Sequence, residues 1–384
     1  MKKLNLGRGP FDMQLSRLPG LLVAASALLL IGVMASAQET KRVFIVQSYE
    51  EGHVCAGPQA EGVLKGLATE GWTEGRNLAV KSYYMDTYRK NATPEAMRAQ
   101  GELALGQIAE FKPHLVVVLD DAAVQQVMLP LVGRPDVALV FAGMNGQPET
   151  YNERKKFMAS RARPGGHVTG VYEKLYAAES VRVMARAVPG LRGRKVVMIT
   201  DYSPTGNGLT RQFEIELKDV RDVHWEVRRV KDWGEYTALI NALNADDEVK
   251  AIYPVALTLP VSEGVRYAAA QIYDWTLEHS RKPEMAINYF FARMGLFGGA
   301  SVNFGSMGTL AGRKAGKILN GTSPGDLPIE DAPDYAIVFN VKRAKDLGIT
   351  IPPSVLTAAD YVYKDDLRPL TGRTLLYDPK TKSF

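Results

Sequence analysis

The chain has 384 residues, 46% of them hydrophobic and 23% charged, with a single cysteine and a formal charge of +5. A single core is not expected at that length, because cores stop growing near ~250–300 residues. The composition excludes a disordered chain, and the lone Cys55 excludes an intrachain disulfide.

Much of the basic excess sits at the N-terminus. Lys2, Lys3, Arg8 and Arg17 precede the apolar run Leu21 to Val33, and the small residues Ala35-Ser36-Ala37 follow it. This is the three-part pattern of a cleavable secretory signal peptide over residues 1–37, with an uncleaved anchor as the alternative. Cleavage would remove four basic residues and Asp12, leaving 347 residues at +2. That charge gives no basis for a nucleic-acid partner. The runs Arg154-Lys155-Lys156 and Arg228-Arg229-Val230-Lys231 are expected at solvated edges.

In chain order, strands are predicted at Arg42–Val46, Leu78–Tyr84, His114–Leu119 and Val137–Phe141. Helices are predicted at Pro58–Thr69 and Pro94–Phe111, and from Ala122 onward. The rhythm repeats with strands at Lys195–Thr200, Val223–Arg229, Lys250–Tyr253 and Met285–Asn288. Its helices are Ala177–Ala187, Gly208–Asp219, Trp233–Asn244 and Glu263–His279. Continuous apolar strands alternating with helices indicate parallel sheets covered on both faces. The expected fold class is α/β, with two doubly wound parallel-sheet lobes joined by a hinge. Gly165-Gly166-His167 and Lys282-Pro283 are the expected crossings. Lobe one is then 41–165 plus 289–330, lobe two 166–288 plus 331–366, and 367–384 a surface extension. Gly308, Gly312 and Gly316 recur on a predicted helix from Met307 to Leu319, which fits close packing on a sheet or a subunit contact.

No catalytic constellation survives inspection. Gly321-Thr-Ser323-Pro-Gly325 matches a nucleophile-elbow pattern but follows a helix, so a surface turn is expected. His53 and Cys55 lie two apart without further ligand spacing, and neither a metal site nor a cofactor is predicted. An enzyme is not expected.

Polar and aromatic residues do gather at strand carboxyl ends, where open parallel sheets place their ligand crevice. They are Ser48, Tyr49 and Glu50 after the first strand, Asp120 and Asp121 after the third, and Met144 and Asn145 after the fourth. Tyr172 and Glu173 follow the first junction. Asp201, Tyr202, Ser203, Thr258, Tyr289 and Phe290 occupy the corresponding ends in the second half. Each has a structural alternative: the aspartates as helix caps, the tyrosines as rim packing, Met144 as core.

Val168-Thr-Gly-Val171, Leu310 to Gly321, Leu327-Pro328 and Asn340 to Pro352 carry a resemblance in their order and spacing. The chain resembles ABC-transporter substrate-binding proteins of the type I periplasmic fold, in the branch that includes tryptophan and tyrosine binders. The resemblance implies ligand contacts at Asp120-Asp121-Ala122, Ala142 to Asn145 and Asp201-Tyr202-Ser203. It also implies a hinged cleft that closes on a small molecule, a periplasmic location, and an ABC permease in the inner membrane as partner. A monomer is expected. The chain departs from the family at Pro254-Val-Ala-Leu257, where an acidic or amide residue is usual. For an amino-acid ligand the acidic role would fall to Asp120, Asp121 or Asp201. Two other functions remain open at this point, a sensory module read by a membrane histidine kinase or chemoreceptor, and an exported α/β enzyme. Acids and aromatics together suggest an amine-bearing or aromatic metabolite.

Overall fold

The computed structural model describes residues 40–371; the signal-peptide pattern at 1–37 and most of the 367–384 tail lie outside them. The first lobe runs β1 (Lys41–Gln47), α1 (Ala56–Thr69), β2 (Leu78–Tyr84), α2 (Pro94–Phe111) and β3 (Leu115–Leu119). A short helix α3 (Asp120–Ala123), a π-helical turn at Val124–Met128 and α4 (Leu129–Leu131) follow, then β4 (Ala138–Met144), α5 (Pro148–Arg154) and β5 (Val168–Tyr172).

Leu115-Val-Val-Val-Leu119 is buried along its whole length because both faces of its sheet are covered. Alternate residues point to opposite faces. Val43, Leu115, Val117 and Val140 meet Val63 and Leu67 of α1, whereas Phe44, Val116, Val118 and Phe141 meet Ala104 and Ile108 of α2.

The second lobe runs α6 (Ala177–Ala187), β6 (Lys195–Asp201), α7 (Pro204–Glu216), β7 (His224–Val230), α8 (Trp233–Ala245) and β8 (Val249–Pro254). It continues with the hairpin β9 (Thr258–Ser262) and β10 (Val265–Ala268), then α9 (Ala269–His279), α10 (Tyr289–Met294) and β11 (Gly298–Val302). The chain returns to lobe one through α11 (Phe304–Leu319) and β12 (Glu330–Asp331). It ends in lobe two with β13 (Tyr335–Asn340), α12 (Val341–Asp346), α13 (Pro353–Thr357) and β14 (Tyr361–Tyr363).

The first sheet is parallel throughout, in the order β12-β5-β4-β3-β1-β2. The second is built from β7-β6-β8 and β11-β13-β14, linked by bridges at Ile252–Glu284 and Met285–Gly298. The two lobes are thus α/β with parallel-sheet cores, but β11 and β13 pair antiparallel.

Several expectations are corrected. Gly165 to His167 lead into β5 of the first sheet, so the chain leaves that lobe after Tyr172. Lys282-Pro283 lies inside lobe two, where Pro283 O accepts from Ile252 N at 3.1 Å. The crossings are instead at residues 173–176, at Asn303 and at 332–334. Met285–Asn288 forms isolated bridges and no strand, and Glu263–Ala268 belongs to the hairpin before α9. Leu370 of the expected surface tail is buried, its N–H donating to Asp274 Oδ1 at 2.7 Å.

The glycine-bearing helix α11 packs on α1, not on a sheet alone. A Cβ on Gly312 would lie 2.1 Å from Val63 O, and one on Gly66 2.2 Å from Thr309 O. Among the described residues no helix is long and apolar enough to cross a membrane.

Candidate functional site

In the first sheet the strand order reverses between β1 and β3, and in the second between β6 and β8. Loops diverge at such points and leave a crevice at the carboxyl edge. The cavity found there, of about 320 Å³, lies between the lobes. Tyr49, Glu50, Asp120, Asn145 and Glu173 line it from lobe one, and Thr205, Leu257, Thr258 and the start of α9 from lobe two. An outer cavity of about 330 Å³ shares Tyr49, Tyr88, Thr205 and Thr258 with it and adds Asp121, Asp201, Tyr202 and Ser203.

Asp120 is the residue under most stress. It ends β3 in the left-handed region at φ 70°, it is 2% exposed, and its Oδ2 finds no partner among the described residues. A non-glycine residue held there costs of order 1–3 kcal/mol, and such strain persists at functional sites. Gly143 makes room for it: at φ 74° a Cβ would lie 3.0 Å from Asp120 Oδ1 and 2.3 Å from Gln59 Nε2. Burial, then the neighbouring Asp121, push the Asp120 carboxyl well above its usual range.

Glu173 follows β5, is 3% exposed, and leaves Oε2 unpartnered. Burial raises its pKa, and Asp120 and Asp121 raise it further. Asn145 Oδ1 is likewise unpartnered in the same cavity. Glu50 is raised by burial, with Arg89 Nε at 3.7 Å from its Oε1 acting in opposition. Burial holds His53 down at about 3, so its imidazole is neutral. The walls are aromatic and apolar, with the Tyr49 and Tyr88 rings 4.2 Å apart and Ile287, Phe291 and Phe304 deeper in. On the lobe-two side Ala268, the N-cap of α9, brings no side-chain oxygen to the first turn of that helix.

Tyr49, Glu50, Asp120, Asn145 and Thr258 therefore stand in the inner cavity, and Asp121, Asp201, Tyr202 and Ser203 in the outer one. Asp121 is fully engaged within the protein: it accepts from Asn145 N and Gly146 N at 3.0 Å each and from Tyr151 Oη at 2.6 Å. Ser203 caps α7 through Gly206 N at 3.0 Å. Five candidates line neither cavity. Ser48 Oγ bridges Leu119 O and Ala123 N, at 2.7 and 2.9 Å. Met144 and Phe290 are core, at 0% and 1% exposure. Tyr172 accepts from Gln147 Nε2 under Arg161, whose guanidinium carbon lies 4.9 Å from the ring centre. Tyr289 stacks on Tyr361 at 5.2 Å, away from the cleft.

Sequence reasoning missed Tyr88 and Arg89 after β2, which the strand-end rule applied to that strand would have found; it named Glu173 beside Tyr172 after β5 but kept only Tyr172 among the ligand candidates. Ile287, Phe291 and Phe304 carry no such signal, since an apolar wall and a core read alike. Lys231, expected at a solvated edge, lines the outer cavity, and the Arg229 guanidinium carbon lies 3.9 Å from the centre of the Tyr202 ring.

Two α/β lobes with a cleft at their facing sheet edges define a type I periplasmic binding protein-like fold. The model of the family "ABC transporter substrate binding protein" matches residues 53–363, and the chain belongs to that family. This is a substrate-binding family, not an enzyme family. The fold is similar to that of an ABC domain from Streptococcus pneumonia in complex with L-Trp, with a TM-score of 0.64 and 20% identity, over 84% of this chain and 100% of that one. It is also similar to a conserved domain protein from Vibrio cholerae, with a TM-score of 0.65 and 18% identity, covering 84% and 100%. A ligand-free, open substrate-binding protein with adhesive properties from Clostridium difficile gives 0.62 and 17%, covering 85% and 100%. No curated protein sequence matches the chain significantly.

Proposed function

We propose that this chain captures a small amine-bearing molecule between its lobes in the periplasm and delivers it to an ABC importer. The observation that carries the ligand chemistry is the pair of buried carboxylates, Asp120 and Glu173, each with an oxygen lacking a partner among the described residues. A buried carboxylate without a counter-charge is costly, and a cationic nitrogen in the cavity relieves that cost. The aromatic walls suit an apolar or aromatic body on the same ligand. The uncapped first turn of α9 offers N–H donors to an acceptor group at its other end. The similar fold with L-Trp bound supports an amino acid among the candidates.

The ligand touches both lobes, so it binds the closed arrangement more tightly and shifts the population toward it. Micromolar capture needs about −8 kcal/mol. Charge-assisted hydrogen bonds at ~1.5–3 kcal/mol each, with the apolar burial, reach that range. The family supports delivery to a permease, and the address-like residues 1–37 support export.

The test is a thermal-shift panel of amines, amino acids and uncharged isosteres on the purified chain, with small-angle scattering on any hit. A stabilising shift and a smaller radius of gyration with amine-bearing members are expected. Shifts confined to uncharged or anionic solutes would overturn the reading.

A further inference from the structure

The carboxyl edge of the first sheet ends in a row of acceptors, one for each neighbouring strand. Glu50 follows β1, Asp120 follows β3, Asn145 follows β4 and Glu173 follows β5, and these strands lie side by side in the order β5-β4-β3-β1. With strands ~4.8 Å apart, the row extends over about 14 Å of sheet edge. Glu50 Oε2, Asp120 Oδ2, Asn145 Oδ1 and Glu173 Oε2 are all buried without a hydrogen-bond partner among the described residues, and all four residues line the inner cavity.

The positive charge set against them is small. Arg89 is half exposed and divides its guanidinium between Asp86, at 3.0 Å, and Glu50, at 3.7 Å. No lysine lines the inner cavity among the described residues, and the buried His53 imidazole is neutral. Three acidic side chains share one guanidinium, and a cationic nitrogen beside each end of the row favours the ionised carboxylate there against the burial that opposes it. Asp120 and Glu173 follow strands two spacings apart, about 10 Å along the edge, so a ligand lying along the strand ends meets them in turn. The same cavity is walled by Tyr49, Phe291 and Phe304, surfaces that suit methylene segments and the faces of cationic nitrogens.

We propose that the cleft is built for a linear ligand with at least two cationic nitrogens, an α,ω-diamine skeleton with or without a carboxylate, lying along the strand ends. One nitrogen sits at Asp120 and Glu50 and the other at Glu173, with Asn145 Oδ1 accepting between them. This rests on the amine reading above and specifies how many nitrogens the ligand carries and how they are spaced.

The experiment is calorimetric titration of the purified chain with two matched pairs, pentylamine against 1,5-diaminopentane and L-norleucine against L-lysine, then with diamines of three to six carbons. The expected result is that the second nitrogen tightens binding at least tenfold within both pairs. Glu173→Gln is expected to reduce that ratio below threefold, and Asp120→Asn serves as a second variant if the first does not fold. The proposal is overturned if the one-nitrogen compounds bind as tightly as their partners, or if no diamine binds. In the first case amine capture itself still stands. Binding of solutes without any cationic nitrogen, in place of amines, removes both readings.

Discussion

The Tyr151 hydroxyl donates to Asp121 Oδ1 at 2.6 Å, and this bond separates the roles of two adjacent aspartates. Asp121 is spent on the protein, holding the Asn145–Gly146 turn and Tyr151 together. Asp120 is left with Oδ2 free for the cavity. Asp121→Ala would leave two amides and a hydroxyl without their acceptor, at ~1–3 kcal/mol each where buried. We expect it to lose about 3–5 kcal/mol of stability in denaturant unfolding. Asp120→Asn keeps a residue that tolerates the left-handed region and removes a buried charge. It should unfold at the same denaturant concentration as the parent, or a higher one, while ligand affinity falls at least tenfold. Equal destabilisation by both substitutions would refute this division of labour.

The empty cleft should make the protein less stable as pH rises. Burial places the folded-state pKa values of Asp120 and Glu173 above their ordinary ones, and it pushes Glu216 up to about 7. From the ordinary carboxylate range near ~4 up to those raised values, the unfolded chain holds fewer protons than the folded one. Stability from these groups is therefore full below the ordinary range and is lost through the raised one. Asp136, Glu149 and Asp346, held low by Arg134, Arg161 and Lys342, act in the opposite sense. Comparison with Asp120→Asn/Glu173→Gln isolates the cleft. The double variant's melting temperature should gain on the parent's between pH 4 and 8, and an amine ligand should close the gap. A gap that does not vary with pH would exclude the two carboxyls as its source.

Tyr88 of lobe one lines both cavities together with Thr205 of lobe two, and its ring lies 4.2 Å from that of Tyr49. Tyr88→Phe keeps the ring and removes its hydroxyl from the boundary between the lobes, a change worth ~0.5–1.5 kcal/mol. Ligand dissociation should become two- to tenfold faster in stopped-flow measurements, with the radius of gyration of the ligand-free protein slightly increased. An unchanged dissociation rate would show that this hydroxyl does not hold the closed state.

β1, β3 and β4 of lobe one were legible in the sequence because they are mainly apolar on both faces, as strands of a covered parallel sheet are; β5 was read as a crossover and β12 was not read as a strand. Leu78–Tyr84, Pro94–Phe111 and Ala177–Ala187 have the predicted limits. β11 and β13 were not legible. Gly298-Gly-Ala-Ser-Val302 has little β propensity and forms a strand because Phe339 and its neighbours pair with it. The second strand of the hairpin, Val265–Ala268, was absorbed into the helix predicted at Glu263–His279 because Gly264, at φ 71°, was not read as its turn. In the site, Asp120, Asn145 and Glu50 follow from strand-end position alone. The same rule over-reached at Tyr172 and Phe290, since position at a strand end does not fix which way a side chain turns.

The contact between α1 and α11 is set by glycine. Gly62 and Gly66 on one helix and Gly308 and Gly312 on the other let the backbones touch: a Cβ would lie 2.4 Å from Gly305 O, 2.2 Å from Thr309 O, 2.0 Å from Gln59 O and 2.1 Å from Val63 O. Each obstacle is backbone, so neither helix can yield by turning a side chain. Gly312→Ala must therefore push α11 off α1, and we expect it to lose about 2–3 kcal/mol. Because α11 also follows the crossing at Asn303 and starts with Phe304 in the cavity wall, ligand affinity should fall as well. Gly106, inside α2, supplies the contrast, since nothing lies within 4 Å of a Cβ placed there. Gly106→Ala should gain ~0.5–1 kcal/mol from helix propensity and leave binding unaltered. Denaturant unfolding of the two variants, with ligand titration of each, separates a packing glycine from an incidental one. Destabilisation by both would show that the loss at Gly312 does not come from the helix contact.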